Sequence, residues 1–155
     1  MLQTGDKLPL ISLADQNGKP FNTRQIIGEK TILYFYPKDN TSGCTAEACS
    51  LNENFDEWIK AGYQIVGVSP DSATSHQKFI AKNNLQFTLL SDTEKALATA
   101  FGVWGEKSLY GRKYMGILRT TFIINEQGII THVIEKVNTK EHSQQLFDLL
   151  AKGQK

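Results

Sequence analysis

Apolar positions along this chain fall into two periods. Residues 31–36 (TILYFY) form an unbroken apolar, β-favouring run, the pattern of a central strand buried on both faces, and Pro37 ends it because proline cannot donate to a ladder. Residues 63–68 (YQIVGV) repeat the pattern, and 86–90 (QFTLL) predict a further strand. Between these runs the spacing turns helical. Ala48, Leu51, Phe55, Trp58 and Ile59 predict one helix over 45–61, stopped by Gly62. Residues 72–83 predict a helix capped at Asp71 or Ser72 with Phe79 and Ile80 facing inward, and a third helix runs from Thr93 to Phe101. A loop through Gly116 follows, with Trp104 and Tyr110 as its packing residues.

The two ends are hairpins. At the start, 8–13 (LPLISL) is extended, Asn17-Gly18 supplies the positive φ angles of a tight turn, and the chain returns through Lys19–Asn22. Near the end, 120–125 (TTFIIN) and 129–135 (IITHVIE) are strands joined by Glu126-Gln127-Gly128. A last helix, 139–152, carries Leu146, Phe147, Leu149 and Leu150. An early hairpin, then β-α-β-α-β-α, then β-β-α, predicts a three-layer α/β fold with a mixed central sheet.

Composition changes this picture little. The 155 residues show no repeat or linker, so 1–155 reads as one domain. Seventeen basic residues against sixteen acidic ones leave a net charge of +1, with no field to draw in nucleic acid or an anionic membrane. The N-terminus has no signal-peptide pattern, and no segment approaches the ~20 apolar residues that span a bilayer. The expectation is a cytoplasmic protein with no nucleic-acid or membrane partner.

The candidate chemistry lies in 36–49 (YPKDNTSGCTAEAC), which holds both cysteines of the chain. In a reducing compartment such a pair points to catalysis or metal rather than to a permanent crosslink. Zinc is disfavoured, since the four-residue gap is wrong for common sites and His76, His132 and His142 are scattered. The gap is also too long for a thioredoxin-type motif. Cys44 falls in or near the first turn of the helix after strand 31–36, where unpaired amides and the helix dipole favour a thiolate. Cys49 falls in the same helix. At that spacing two helical Cα atoms lie roughly 8.6 Å apart, beyond the ~7 Å that a disulfide spans. A bond between the two therefore requires the first turns to unwind. This suits a cycle in which Cys44 attacks a peroxide, becomes a sulfenic acid and is captured by Cys49. Gly105-Glu106-Lys107-Ser108 looks like part of a phosphate loop, but its glycine spacing is wrong and no strand precedes it.

Within the same stretch, Pro37, Thr41 and Cys44 form P-x-x-x-T-x-x-C, which resembles the active-site signature of peroxiredoxins. The second cysteine five residues on resembles the atypical two-cysteine branch called peroxiredoxin Q or bacterioferritin comigratory protein. GDKLPLISLADQNGKPF, VGVSPDS, FTLLSD, FGVWGEKSLYGRKYMGILRTTFIIN and EHSQQLFDLL extend the resemblance over nearly the whole chain. Ser42 stands where many relatives have proline.

The resemblance implies a thioredoxin-like fold and reduction of hydrogen peroxide and organic hydroperoxides without metal or prosthetic group. Cys44 is then the peroxidatic residue, Cys49 the resolving residue and Arg119 the active-site arginine. It also implies a monomer recycled by thioredoxin or a glutaredoxin-like dithiol protein. Thr41 is expected to hydrogen-bond the thiolate or the peroxide, Pro37 to shield the site, and Glu47, one turn past Cys44, to orient Arg119. Two rivals have weaker support. A general thiol-disulfide oxidoreductase of this fold keeps a late proline facing its cysteines, and this chain has none after Pro70. A binding module needs no Thr41, Cys44 and Arg119 together.

Overall fold

The computed structural model describes residues 1–152. The chain runs β1 (Ser12–Ala14), β2 (Pro20–Asn22), a 3-10 turn (Thr23–Ile26), β3 (Lys30–Phe35), α1 (Ser42–Glu53), α2 (Phe55–Lys60), β4 (Tyr63–Ser69) and α3 (Ala73–Asn83). It continues through β5 (Thr88–Ser91), α4 (Ala96–Phe101), β6 (Trp104–Leu109), β7 (Arg112–Ile117), β8 (Thr120–Ile124), β9 (Ile130–Ile134) and α5 (His142–Lys152).

Seven strands form one sheet in the order β2-β1-β5-β4-β3-β8-β9. The two apolar runs, β3 and β4, pair in parallel at its centre, and β3 pairs antiparallel with β8 on its other side. Their side chains alternate between two apolar layers. Leu33 and Phe35 join Val66, Val68, Phe122 and residues of α4 on one face. Ile32 and Tyr34 join Ile65, Ile123 and residues of α1, α2, α3 and α5 on the other. Helices therefore cover both faces, as the three-layer expectation requires. Gly67 makes room for its neighbours on one face: a Cβ there would lie 2.7 Å from Leu89 and 2.9 Å from Tyr34. Among the described residues no helix is long and apolar enough to cross a membrane.

Several boundaries differ from the sequence expectation. The predicted helix over 45–61 is two helices broken at Asn54, and the first begins at Ser42. Strand 8–13 shrinks to Ser12–Ala14, because the amide of Ile11 is taken by the Thr23 hydroxyl instead of a ladder. The first hairpin turn places only Gly18 at positive φ, while the Asp15 carboxylate accepts from the amides of Asn17 and Lys19. The helix expected from Thr93 starts at Ala96, after the Asp92 carboxylate accepts from the amides of Leu97 and Ala98.

The largest difference lies between 104 and 117, expected as a loop. It is an antiparallel ribbon, β6 with β7, turned by Tyr110 and Gly111 at positive φ. Tyr110 is 98% exposed at its tip and packs on nothing, whereas half-buried Trp104 does pack, with the Lys95 ammonium 5.4 Å from its ring. Many polar residues on the ribbon hide its strand alternation from a periodicity search.

The helical layer beneath the cysteine segment is tightly interlocked. Trp58 of α2 is buried, stacks on Phe147 of α5 with ring centroids 3.9 Å apart, and donates its indole N–H to the Ser143 hydroxyl at 2.9 Å. The Ser143 amide in turn donates to the Ser50 hydroxyl of α1. Trp58→Ala removes the ring and orphans that hydroxyl, and is expected to cost about 3–5 kcal/mol in denaturant unfolding. A loss below about 1 kcal/mol would show that the stack is not structural.

Candidate active site

The site forms where β3 gives way to α1. The Tyr36 amide makes the last bond toward β4, to the Val68 carbonyl, and Pro37 then turns the chain out of the sheet. Asn40 takes a left-handed conformation, φ 64°, and Thr41 returns to extended backbone at the N-cap of α1. The Thr45 amide bonds back to the Thr41 carbonyl, so the amides of Ser42, Gly43 and Cys44 precede the ladder and carry the positive end of the helix dipole. Cys44 lies in this first turn, 1% exposed.

Arg119 enters from the two residues between β7 and β8. It donates from Nη2 to Cys44 Sγ at 3.2 Å and from Nη1 to Glu47 Oε1 at 2.7 Å. Glu47 shares a face of α1 with Cys44, three positions on. Gly43 lies alongside the guanidinium, where a Cβ would be in ordinary contact at 3.4 Å from Nη2. The arrangement gives a sulfur and a cation in direct contact, with a carboxylate behind the cation.

Burial sets the electrostatics. It pushes the Glu47 carboxyl up to about 7, even against the pull of Arg119. For Arg119, burial works against the charge, but Glu47 and Cys44 more than offset it and hold the guanidinium above its ordinary value. Glu47 Oε2 has no hydrogen-bond partner, although His142 Nε2 lies 3.5 Å away. The His142 ring, at the start of α5, also meets Gln145 Oε1 through Nδ1 at 2.9 Å and Thr121 Oγ1 through Nε2 at 2.8 Å. Burial lowers its pKa to about 4. The buried Tyr34 hydroxyl is unpaired as well, and burial, then Glu47 and Cys44, raise its pKa well above 10.0. On β6, Lys107 donates to the Ile117 carbonyl, and burial followed by Arg119 lowers its pKa.

Of the residues singled out from sequence, Cys44, Glu47 and Arg119 come together. Pro37 and Thr41 stand on the loop entering the helix. Thr41 differs from expectation, because its exposed hydroxyl donates to the Lys38 carbonyl at 3.0 Å and not to the thiol. Cys49 is half-buried in the same helix, with Sγ 3.8 Å from Asn83 Oδ1. Burial and Glu53 push its thiol up. Both cysteines are free. His142, Tyr34 and Gly43 were not anticipated. Only Gly43 carries a sequence signal, as the small residue beside a candidate nucleophile.

Comparison with known proteins agrees with this geometry. Residues 4–133 match the model of the AhpC/TSA family. Peroxiredoxin Bcp of Escherichia coli is 44% identical over 141 residues, covering 91% of this chain and 90% of its own. Among solved structures, a cysteine-to-serine variant of Xylella fastidiosa PrxQ superposes with a TM-score of 0.91 at 30% identity, over 100% of this chain and 99% of its own. The bacterioferritin comigratory protein of Xanthomonas campestris, studied for alkyl peroxide reduction, gives 0.87 at 36% identity, over 97% of this chain and 100% of its own. With its mixed sheet, its helix-borne cysteine and these relatives, the chain belongs to the AhpC/TSA family, as a thioredoxin-fold peroxiredoxin of the Bcp/peroxiredoxin Q branch.

Proposed function

We propose that this chain reduces hydrogen peroxide and organic hydroperoxides at Cys44, with Cys49 as the resolving thiol and a thioredoxin-like or glutaredoxin-like dithiol protein as the electron source. The observation that carries the proposal is the 3.2 Å contact between Arg119 Nη2 and Cys44 Sγ at the start of α1. A guanidinium there is placed to meet the negative charge that develops on the departing oxygen. Thr41 spends its proton on Lys38, so its lone pairs remain to accept the O–H of a hydroperoxide. Pro37 shapes the loop that brings these groups together.

In the first step Cys44 sulfur bonds to the terminal peroxide oxygen, the O–O bond breaks, and the leaving oxygen takes a proton to become water or an alcohol. Cys44 is then a sulfenic acid. The first turns of α1 unwind, Cys49 thiolate attacks Cys44 sulfur, and hydroxide leaves as water. The Cys44–Cys49 disulfide is returned to two thiols by thiol–disulfide exchange with the dithiol protein. Because both thiols lie in one chain, a monomer suffices. Such a cycle belongs in the reducing cytoplasm.

Behind the cation, burial disfavours the charged forms of both Glu47 and His142. The Glu47 carboxyl, raised from 4.5 to about 7, adds stability that is complete below pH 4.5 and lost as pH rises through 7. His142, lowered from 6.5 to about 4, adds stability that is complete above pH 6.5 and lost as pH falls through 4. The two trends oppose each other over the shared range. Removing one partner exposes the other. Glu47→Gln is expected to become more stable as pH rises from 4 to 6.5, and His142→Gln less stable from 4.5 to 7, each by on the order of 3 kcal/mol. Denaturant melts across this range measure the slopes, and slopes of the same sign in both variants would contradict these opposite shifts.

The chemical assignment is tested at the sulfurs. Cys44→Ser is expected to consume no peroxide. Cys49→Ser is expected to react once and leave a sulfenic acid that dimedone labels on Cys44 by mass spectrometry. Peroxide turnover by Cys44→Ser, or the label appearing on Cys49 of the intact protein, would reverse the assignment.

A further inference from the structure

A second buried polar cluster lies outside the chemistry described so far. His76 of α3 is fully buried, with Nδ1 2.8 Å from Asp39 Oδ2 and Nε2 3.0 Å from the Leu90 carbonyl of β5. A carbonyl only accepts, so Nε2 carries a proton. Asp39 receives hydrogen bonds from the Tyr36 hydroxyl at 2.6 Å and from the Ser75 hydroxyl at 2.8 Å. Burial opposes its ionisation, yet the bonds from His76 and these hydroxyls hold its carboxyl below the ordinary value. An ionised Asp39 also only accepts, which leaves a proton on Nδ1 as well.

A second carboxylate stands beside this pair. The Asp71 carboxylate follows β4, and one of its oxygens, an oxygen of Asp39 and a ring nitrogen of His76 lie within 4.8 Å of one another. Asp71 Oδ2 accepts from the Asp39 amide at 2.8 Å and the Ser69 hydroxyl at 2.7 Å. Around His76, then, the loop contributes Asp39, the residue just after β3 contributes Tyr36, and the turn after β4 contributes Asp71. Its own helix contributes Ser75, and β5 only a carbonyl. Tyr36 stays neutral, since burial raises its pKa well above 10.0. Apart from His76 itself, none of these groups is basic.

Asp39 is also part of the active-site loop, between Pro37 and Thr41 and five residues before Cys44. Its side chain and its amide are the loop's buried attachments to Tyr36, Ser75, His76 and Asp71. We propose that His76 is a positioning residue of this peroxidase: held as an imidazolium between Asp39 and the Leu90 carbonyl, it anchors the loop that delivers Thr41 and the start of α1 to the peroxide. This rests on the peroxidase function proposed above. Losing the imidazolium proton leaves Asp39 a buried anion without its cation, and the loop loses its seat.

The test uses the full-length reduced protein. With 15N-labelled histidine, two-bond 15N–1H spectra, assigned through His76→Gln, are expected to show both His76 nitrogens protonated at neutral pH. One unprotonated ring nitrogen overturns the proposal while leaving the peroxidase function untouched. The rate of Cys44 oxidation by hydrogen peroxide is then followed against pH. Its alkaline decline is expected to share a midpoint with His76 deprotonation, and a midpoint elsewhere overturns the positioning role. Asp39→Asn is expected to slow the neutral-pH rate about tenfold and to move the decline to lower pH by about one unit or more. A decline that Asp39→Asn leaves in place belongs to another group, such as Lys107, and also overturns the role. Should that variant fail to fold, the coincidence of the two wild-type midpoints decides. Absence of any peroxide consumption by the wild type would instead defeat the peroxidase function, whatever the charge on His76.

Discussion

A guanidinium 3.2 Å from a buried sulfur needs something to hold it there, and here the holder is the fully buried carboxyl group of Glu47. Arg119 is a long side chain from a short connection, with many rotamers open to it. Glu47 Oε1, at 2.7 Å, fixes one arm of the fork so that the other meets Cys44. The cost falls on Glu47, whose carboxyl is pushed up to about 7 and whose second oxygen is unpaired. That cost is tolerated because Glu47 and Cys44 lie on one face of α1, so a single rigid element aligns the sulfur with the group that restrains its cation.

The same helix serves two opposing requirements. Its C-terminal half is firmly attached: Leu51 is buried, Ser50 accepts from the Ser143 amide, and Asn52 bonds both to the Asn84 carbonyl and to the Gln86 amide. Its first turn has no side-chain cap bond, because the Thr41 hydroxyl turns to Lys38. Side-chain hydrogen bonds thus tie down the helix beyond Cys49, while its N-terminus lacks a side-chain cap bond. The Cys44–Cys49 disulfide proposed above, which an intact helix cannot accommodate, requires such an arrangement. The loop before the helix is secured separately, through Asp39, so release of the first turn does not by itself free the chain on its other side.

Much of this was legible in the sequence because burial and periodicity coincide. The runs at 31–36 and 63–68 are the sheet centre, the Cys44 segment is a strand-to-helix junction, and the final hairpin and helix lie where predicted. Arg119 and Cys44, far apart in the chain, were linked only by resemblance; no local pattern says that they touch. The ribbon at 104–117 escaped notice because it is mostly exposed and packs one apolar edge. The break at Asn54 was hidden because apolar spacing continues across it. His76 and His142 looked scattered along the chain, whereas the fold sets one beneath the active-site loop and the other behind Glu47. Partnerships of this kind arise from topology, to which composition and spacing are blind.

The most direct measurement is the stopped-flow rate constant for hydrogen peroxide with reduced Cys49→Ser, compared with the same protein carrying Arg119→Met. If the guanidinium–sulfur contact is what makes this helix start reactive, the second protein reacts about 10²-fold more slowly or worse, with Arg119→Lys falling between the two. Equal rates for all three, with circular dichroism unchanged, would contradict the account.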